Sequence, residues 1–316
     1  MTNSFFKILR SGINSTFQDL GRNNLYHIGL PFSGAMDRRN FLIANSLVGN
    51  QKESAAIEFA YQGPLLKVVK GNINFAITGN VNFKIKKKSL KTIDGECYKT
   101  YVLDQGDELD IISTSQSVYG YLAVSGGFKV EKYNNSYSTT VRAGIGANNG
   151  NKIANNDEVN INNFKKKYLS NKLSFVNPKI EYIRILKGTN FNYFSENSLR
   201  KFLSEEFIIT KLTDRMGMRL KGPKIENNKE SNIRSEGLIK GVIQVPPDGN
   251  PIIMLSDHGT IGGYPKIGVV ISADYDKIVQ LSPNSKLKFK LIELEEAEKL
   301  YKFYKIQTDN LINQIK

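Results

Sequence analysis

The residues best suited to chemistry crowd into one stretch, SEGLIKGVIQVPPDGNPIIMLSDHGTIGGYPK, from Ser235 to Lys266. Two proline-containing turns, VPPDGNP and GGYP, flank a short apolar segment, Ile252 to Leu255. Pro246, Pro247 and Pro251 stiffen one turn, while Gly249, Gly262 and Gly263 let backbone turn sharply or approach a ligand closely. Asp248, Asp257, Thr260, Tyr264 and Lys266 add polar groups, read as lying on loops held by a rigid scaffold, with Gln244 adjacent. In such a set Lys266 can stabilise developing negative charge, and Asp257 and Asp248 can orient water or substrate. His258 can carry a proton near neutral pH. Both turns also serve as plain hairpin connections, and His258 as a hydrogen-bonded loop residue, so residue type alone leaves the two readings open.

Two smaller clusters accompany it. Arg215, in Asp214-Arg215-Met216-Gly217, can grip a carboxylate or phosphate with two parallel hydrogen bonds, near Ser235-Glu236-Gly237 as further polar lining. A salt bridge to Asp214 or Glu236 is its plainer use. In SGAMD, Ser33 to Asp37, the exposed start of a helix could hold an anion, but Asp37 has a sufficient role as helix cap and Ser33-Gly34 as a turn.

Several chemistries lack their signatures. The sequence has no GxxxxGK[ST] phosphate loop, no GxGxxG between strand and helix, and no GxSxG elbow. One cysteine, Cys97, and two histidines, His27 and His258, make neither a disulfide nor a His/Cys metal cluster, so no metal site is expected. The formal charge of +14 over 316 residues raises nucleic acid or an anionic membrane as partners. The lysines are scattered apart from short runs at Lys86-Lys87-Lys88 and Lys165-Lys166-Lys167, and no nucleic-acid motif accompanies them. A solvated basic surface, an anionic substrate or an acidic partner fits better. The chain has no apolar run of about 18 residues and begins too polar for a secretory signal, so a cytoplasmic protein is expected.

The elements that must position these residues read mainly as strands. Ile73, Phe75 and Ile77 alternate, as do Val81, Phe83 and Ile85. Val118–Val124, Tyr182–Leu186, Gly241–Val245, Ile252–Leu255, Gly268–Ile271 and Leu287–Ile292 add short β-branched strands, separated by glycines and Asn/Asp pairs as in barrels or sandwiches. Asp37 caps a predicted helix through Phe41, Ala44 and Leu47, with Gly49 at its end. Ser195 caps another, carrying Leu199, Phe202 and Leu203. Asp274–Leu281 gives a short third helix. From Glu293 onward Leu294, Ala297, Tyr301 and Tyr304 recur at helical spacing. A polar, Lys/Asn-rich texture between Asn155 and Pro178 places a boundary, giving residues 1–170, 178–292 and a helical tail 293–316.

Seven blocks carry a family resemblance: STFQDLGR from Ser15, GLPFSGAMD from Gly29, LIANSLVGN from Leu42, ITGN from Ile77, YLAVSGGF from Tyr121, DRMGMRLKGP from Asp214, and the long block from Ser235 through Ile267. In this order they resemble the carboxyltransferase subunit 2 family, also called allophanate hydrolase subunit 2. Arg142 in VRAGIG agrees with that family's arginine before a Gly-rich turn, whereas His258, Gly259 and Ile261 depart from its DxxTTGGYP pattern, which bears on substrate choice.

The resemblance implies a mostly β fold of two β-barrel-like domains, at least one cyclophilin-like, plus a C-terminal helix. Among its activities is ATP-dependent 5-oxoprolinase, in which a C subunit works with subunits A and B to open 5-oxoproline to L-glutamate, with ATP and Mg2+ possible through a partner subunit. The alternatives it implies are the carboxyltransferase part of a urea carboxylase using biotin, and a regulatory partner of the B-subunit homologue without catalysis of its own. The absence of biotin-carboxylase and amidase regions favours the first. In that reading Lys266 and Arg215, with Arg142, supply positive charge. Asp257 and Asp248 orient water or substrate, and the Gly262–Gly263 backbone approaches the substrate.

Overall fold

The computed structural model describes residues 4–162, 169–177, 181–229 and 232–315. The Lys165-Lys166-Lys167 run lies outside the described residues. The chain divides into two compact units. One comprises residues 1–22, 33–177 and 308–316, and the other residues 23–32 and 178–307.

The first unit carries β1 (Phe5–Arg10), β2 (Thr16–Gln18), β3 (Ala56–Ala60), β4 (Leu65–Lys70), β5 (Ile73–Thr78), β6 (Val81–Lys86), β7 (Thr92–Asp94), β8 (Thr100–Leu103), β9 (Glu108–Thr114), β10 (Tyr119–Val124) and β11 (Glu158–Asn160). They form a six-stranded sheet, β11-β1-β4-β9-β6-β7, and a five-stranded sheet, β2-β3-β10-β5-β8. Side chains from both sheets meet in one core that includes Phe6, Ile8, Phe59, Phe75, Phe83, Ile111 and Leu122. Strand β6 alternates as its sequence predicts, with Val81, Phe83 and Ile85 inward. Strand β5 is buried along its whole length, because α1 (Arg38–Leu47) covers its second face and Thr78 Oγ1 donates to Asn40 O at 2.8 Å. Asp37 starts that helix as predicted, its carboxylate accepting from Asn40 N at 2.9 Å.

The second unit carries β12 (Ile183–Lys187), β13 (Phe207–Thr213), β14 (Gly217–Lys221), β15 (Glu236–Gly237), β16 (Val242–Gln244), β17 (Ile252–Met254), β18 (Ile261–Gly262), β19 (Lys266–Val270), β20 (Lys286–Leu287) and β21 (Phe289–Leu291). Eight of them form one sheet, β20-β13-β14-β17-β16-β19-β12-β21. Its two edge strands, β20 and β21, are separated in sequence only by Lys288, so the chain runs from one edge to the other and the sheet is nearly closed into a barrel. The single strand expected over Leu287–Ile292 is therefore two, because closure needs the chain to change partners there. Strands β15 and β18 pair with each other as a separate two-stranded ribbon. Helix α2 (Glu196–Ser204) begins at Ser195, whose Oγ accepts from Ser198 N at 3.1 Å, and buries Phe202 against Phe207 and Phe289. Helix α3 spans Ser272–Ile278, shorter than the predicted Asp274–Leu281. Helix α4 (Leu294–Asn313) buries Ala297 and Tyr304 of the predicted stripe with Ile271, Ala273 and Ile292, whereas Leu294 and Tyr301 are exposed. Among the described residues no helix is long and apolar enough to cross a membrane.

Candidate functional site

Lys266 is the residue to build from. It opens β19 rather than lying on a loop, and Pro265, which has no N–H to place in a ladder, sits at the strand's entry. Val245 N donates to Pro265 O at 2.9 Å, and Lys266 pairs in register with Gln244 at the end of β16. Both residues are 3% exposed, which is rare for lysine. Asn190 Oδ1 accepts from Lys266 N at 3.0 Å and fixes the backbone below.

The β15–β18 ribbon lies over this pair. Glu236 of β15 accepts from Lys266 Nζ at 2.6 Å, and the two side chains are 45% and 4% exposed respectively. Gln244 Nε2 donates to Tyr264 O at 3.0 Å, just after β18. A Cβ at Gly262 would come within 2.8 Å of Gln244 Nε2, so only glycine lets the ribbon settle this close. At Gly263 a Cβ would sit 3.1 Å from Ile233 O, and Ile233 N donates to Gly263 O at 2.8 Å. Ser235 and Tyr264 are exposed on the ribbon's flanks, and the Thr260 carbonyl accepts from Leu238 N at 2.9 Å. Lys266, Gln244, Glu236, Gly262, Gly263, Ser235, Thr260 and Tyr264 are thus brought together by β16, β19 and the ribbon.

Arg215 and Asp257 serve each other. Nε donates to Oδ2 at 2.8 Å and the guanidinium to Oδ1 at 3.0 Å, with side chains 11% and 8% exposed. The carboxylate that the arginine was expected to grip is therefore one of the chain's own, and neither Asp214 nor Glu236. Asp257 N also donates to Arg215 O at 2.8 Å, which ties the turn after β17 to the start of β14.

His258 follows, 1% exposed, with Nδ1 2.6 Å from Gly259 O and Nε2 3.3 Å from the Tyr26 hydroxyl. Burial pushes its pKa below the usual 6.5, a trend that nearby Lys240 reinforces and Gly259 O and Asp257 oppose, so the imidazole is neutral at pH 7. Burial likewise raises the Tyr26 hydroxyl above its ordinary value. Tyr26 gave no signal in the sequence.

Asp248 and Gly249 stand apart from this set. They form a turn in which Gly249, at φ +72°, donates to Pro246 O at 2.9 Å. Asn250 donates to both Asp248 carboxylate oxygens, at 3.1 and 2.9 Å, holding that carboxyl below its ordinary pKa. Asp248 lines a hollow of about 250 Å³ with Thr210, Arg219, Lys221, Lys224 and Asn250, and none of Lys266, Gln244, Glu236, Arg215 or Asp257 lines it.

The first unit holds a polar network that residue types did not flag. Asp19 accepts from Ser136 Oγ at 2.7 Å, Ser138 Oγ at 2.5 Å and Tyr137 N at 2.7 Å. Arg22 donates to Thr140 Oγ1 at 2.7 Å, and Ser33 Oγ lies 2.7 Å from the same oxygen. Glu58 accepts from Tyr121 Oη at 2.7 Å and Met36 N at 2.8 Å, and Tyr121 Oη accepts from Asp37 N at 2.7 Å. Of the backbone donors around the start of α1, Met36 N, Asp37 N and Asn40 N are thus engaged in the fold. The signal lay in the blocks STFQDLGR and SGAMD. Arg142 is exposed in a 3-10 turn of this first unit, beside Gly144 at φ +64°.

Residues 28–291 match the family described as carboxyltransferase domain, subdomain A and B. The C subunit of 5-oxoprolinase from Haemophilus influenzae is 33% identical over 298 residues, covering 94% of this chain and 94% of that protein. The C subunit of 5-oxoprolinase from Escherichia coli is 31% identical over 299 residues, 93% of each chain. A solved urea amidolyase from K. lactis superposes with a TM-score of 0.88 over 97% of this chain at 24% identity. This chain spans 20% of that longer one, and the likeness is one of fold.

Proposed function

The chain belongs to the carboxyltransferase family of subdomains A and B, and from that premise we propose that it is the C subunit of an ATP-dependent 5-oxoprolinase. With subunits A and B it opens 5-oxoproline to L-glutamate. The observation that carries this reading is 33% identity along 94% of both chains with a protein named for that subunit.

A lactam amide is a poor electrophile. Transfer of the γ-phosphoryl group of ATP to the amide oxygen activates the ring carbon, and a water then adds there. The ring C–N bond breaks with the nitrogen taking a proton, and a second water releases phosphate. The chain's share of this is positioning and charge stabilisation. Lys266, nearly buried, holds its positive charge where screening by solvent is weak. Gln244 and the Gly262–Gly263 backbone shape the space beside it. Arg215, bound to Asp257, works by stiffening the turn that presents His258, and neutral His258 is a hydrogen-bonding partner to Tyr26. Among the described residues no group of three or more His, Cys, Asp or Glu side chains could hold a metal ion, and Mg2+ carried by ATP needs only one or two carboxylates beside the phosphates. ATP and its Mg2+ are assigned to the partner subunits.

The test is Lys266→Met in the assembled three-subunit complex. Loss of this buried cation lowers kcat/KM by about 100-fold or more while assembly persists. Full turnover in the variant removes Lys266 from the mechanism.

A further inference from the structure

The Lys266–Glu236 pair is lopsided. The ammonium is fixed in the barrel wall with its side chain 4% exposed, whereas the carboxylate is 45% exposed. Glu236 stands on β15, a strand of two residues whose ladder partner β18 is also two residues long. Both strands lie outside the eight-stranded sheet. Glu236 is followed by Gly237, where an added Cβ meets no atom within 4 Å. The lysine is therefore enclosed by the sheet, while the carboxylate borders solvent.

A buried ammonium stripped of its partner is costly, so the pair does not open to leave Lys266 alone. Exchange of one carboxylate for another keeps the charge compensated throughout. The buried amide of Gln244 lies in register with Lys266 and offers a second polar group to a ligand that has both a carboxylate and an amide. We propose that Glu236 is an internal competitor, and that a small carboxylate ligand binds by taking its place on Lys266. This deepens the reading above and rests on it only for the identity of the carboxylate. Glu236 then sets specificity, since a ligand must outcompete an anion already in place and a neutral analogue cannot.

The experiment is isothermal titration of the full chain and its Glu236→Gln variant with 5-oxoproline, with glutarate as a carboxylate independent of that reading, and with the neutral carboxamide of 5-oxoproline. The variant leaves the Lys266 ammonium without its charged partner and lowers stability, so thermal melting first identifies the temperature at which both proteins are folded, and the titrations are run there. Removing a charged competitor tightens binding of both carboxylates by roughly tenfold and leaves the carboxamide unchanged. Unchanged or weaker carboxylate binding, an equal gain for the carboxamide, or no carboxylate binding to either protein at millimolar concentration overturns the proposal. Tightening for glutarate alone supports the competitor and counts against 5-oxoproline as the substrate.

Discussion

The Arg215–Asp257 pair allows a sharp energetic test. Two hydrogen bonds of 2.8 and 3.0 Å join side chains that are 11% and 8% exposed, so neither charge has much water to fall back on. Breaking a buried pair from one side leaves an uncompensated charge and costs about 3–5 kcal/mol, and the residual exposure here places the expectation near 3 kcal/mol. Arg215→Met and Asp257→Asn each remove one side of this pair, and the double variant removes both. It should therefore be more stable than the sum of the single losses implies, with a coupling of about 2 kcal/mol. The assay is urea denaturation followed by circular dichroism and tyrosine fluorescence, since the chain has no tryptophan. Two units need not unfold together, so each transition is fitted separately. Single losses under about 0.5 kcal/mol, or additivity to within about 0.5 kcal/mol, would refute the view that the two residues serve each other.

Other residues give further tests. Burial alone would raise the Asp274 carboxyl, but hydrogen bonds from the Arg184 side chain and backbone, with Lys277 nearby, hold it below its ordinary 3.8. Because the folded value lies below the unfolded one, the stabilisation is complete above about pH 5 and is lost as pH falls through 3.8 toward the folded value. Urea midpoints measured against pH should show that loss, and Asp274→Asn should flatten it while costing about 3 kcal/mol at pH 7. Gly146→Ala places a Cβ 2.0 Å from Ser138 O at φ +102° and should lower stability by more than about 2 kcal/mol in thermal melts. Gly262→Ala drives a Cβ toward Gln244 Nε2 and Leu238 Cδ1, both at 2.8 Å. Turnover of the assembled complex should fall about tenfold or more through misplacement of the ribbon, while the melting temperature changes little.

Local chemistry was legible in the sequence. Asp37 and Ser195 start their helices because each side-chain oxygen reaches a backbone N–H three residues on, a relation written within four residues. The β6 alternation follows likewise from a short period, and so does half of the α4 stripe, Ala297 and Tyr304, while Leu294 and Tyr301 are exposed. Pairings across long separations were not legible. Lys266 meets Glu236 across 30 residues and Arg215 meets Asp257 across 42, and no local pattern says which of several charges will be neighbours. The Ser235–Lys266 stretch was read as rich in chemistry, yet Lys266 was expected on a loop. Its place in the wall of the barrel depends on Gln244 being its sheet partner. The split between β20 and β21 follows from closure of a whole sheet, and the Asp19–Arg22–Thr140 network joins segments more than a hundred residues apart. Burial makes those polar residues informative, and burial is set by the complete fold.

The central claim is tested most directly by ATP-dependent release of glutamate from 5-oxoproline, using this chain with subunits A and B and with each of the three left out in turn. The account predicts glutamate formation that needs all three proteins and ATP. An intact, verified complex that releases none, or undiminished release when this chain is left out, would contradict it.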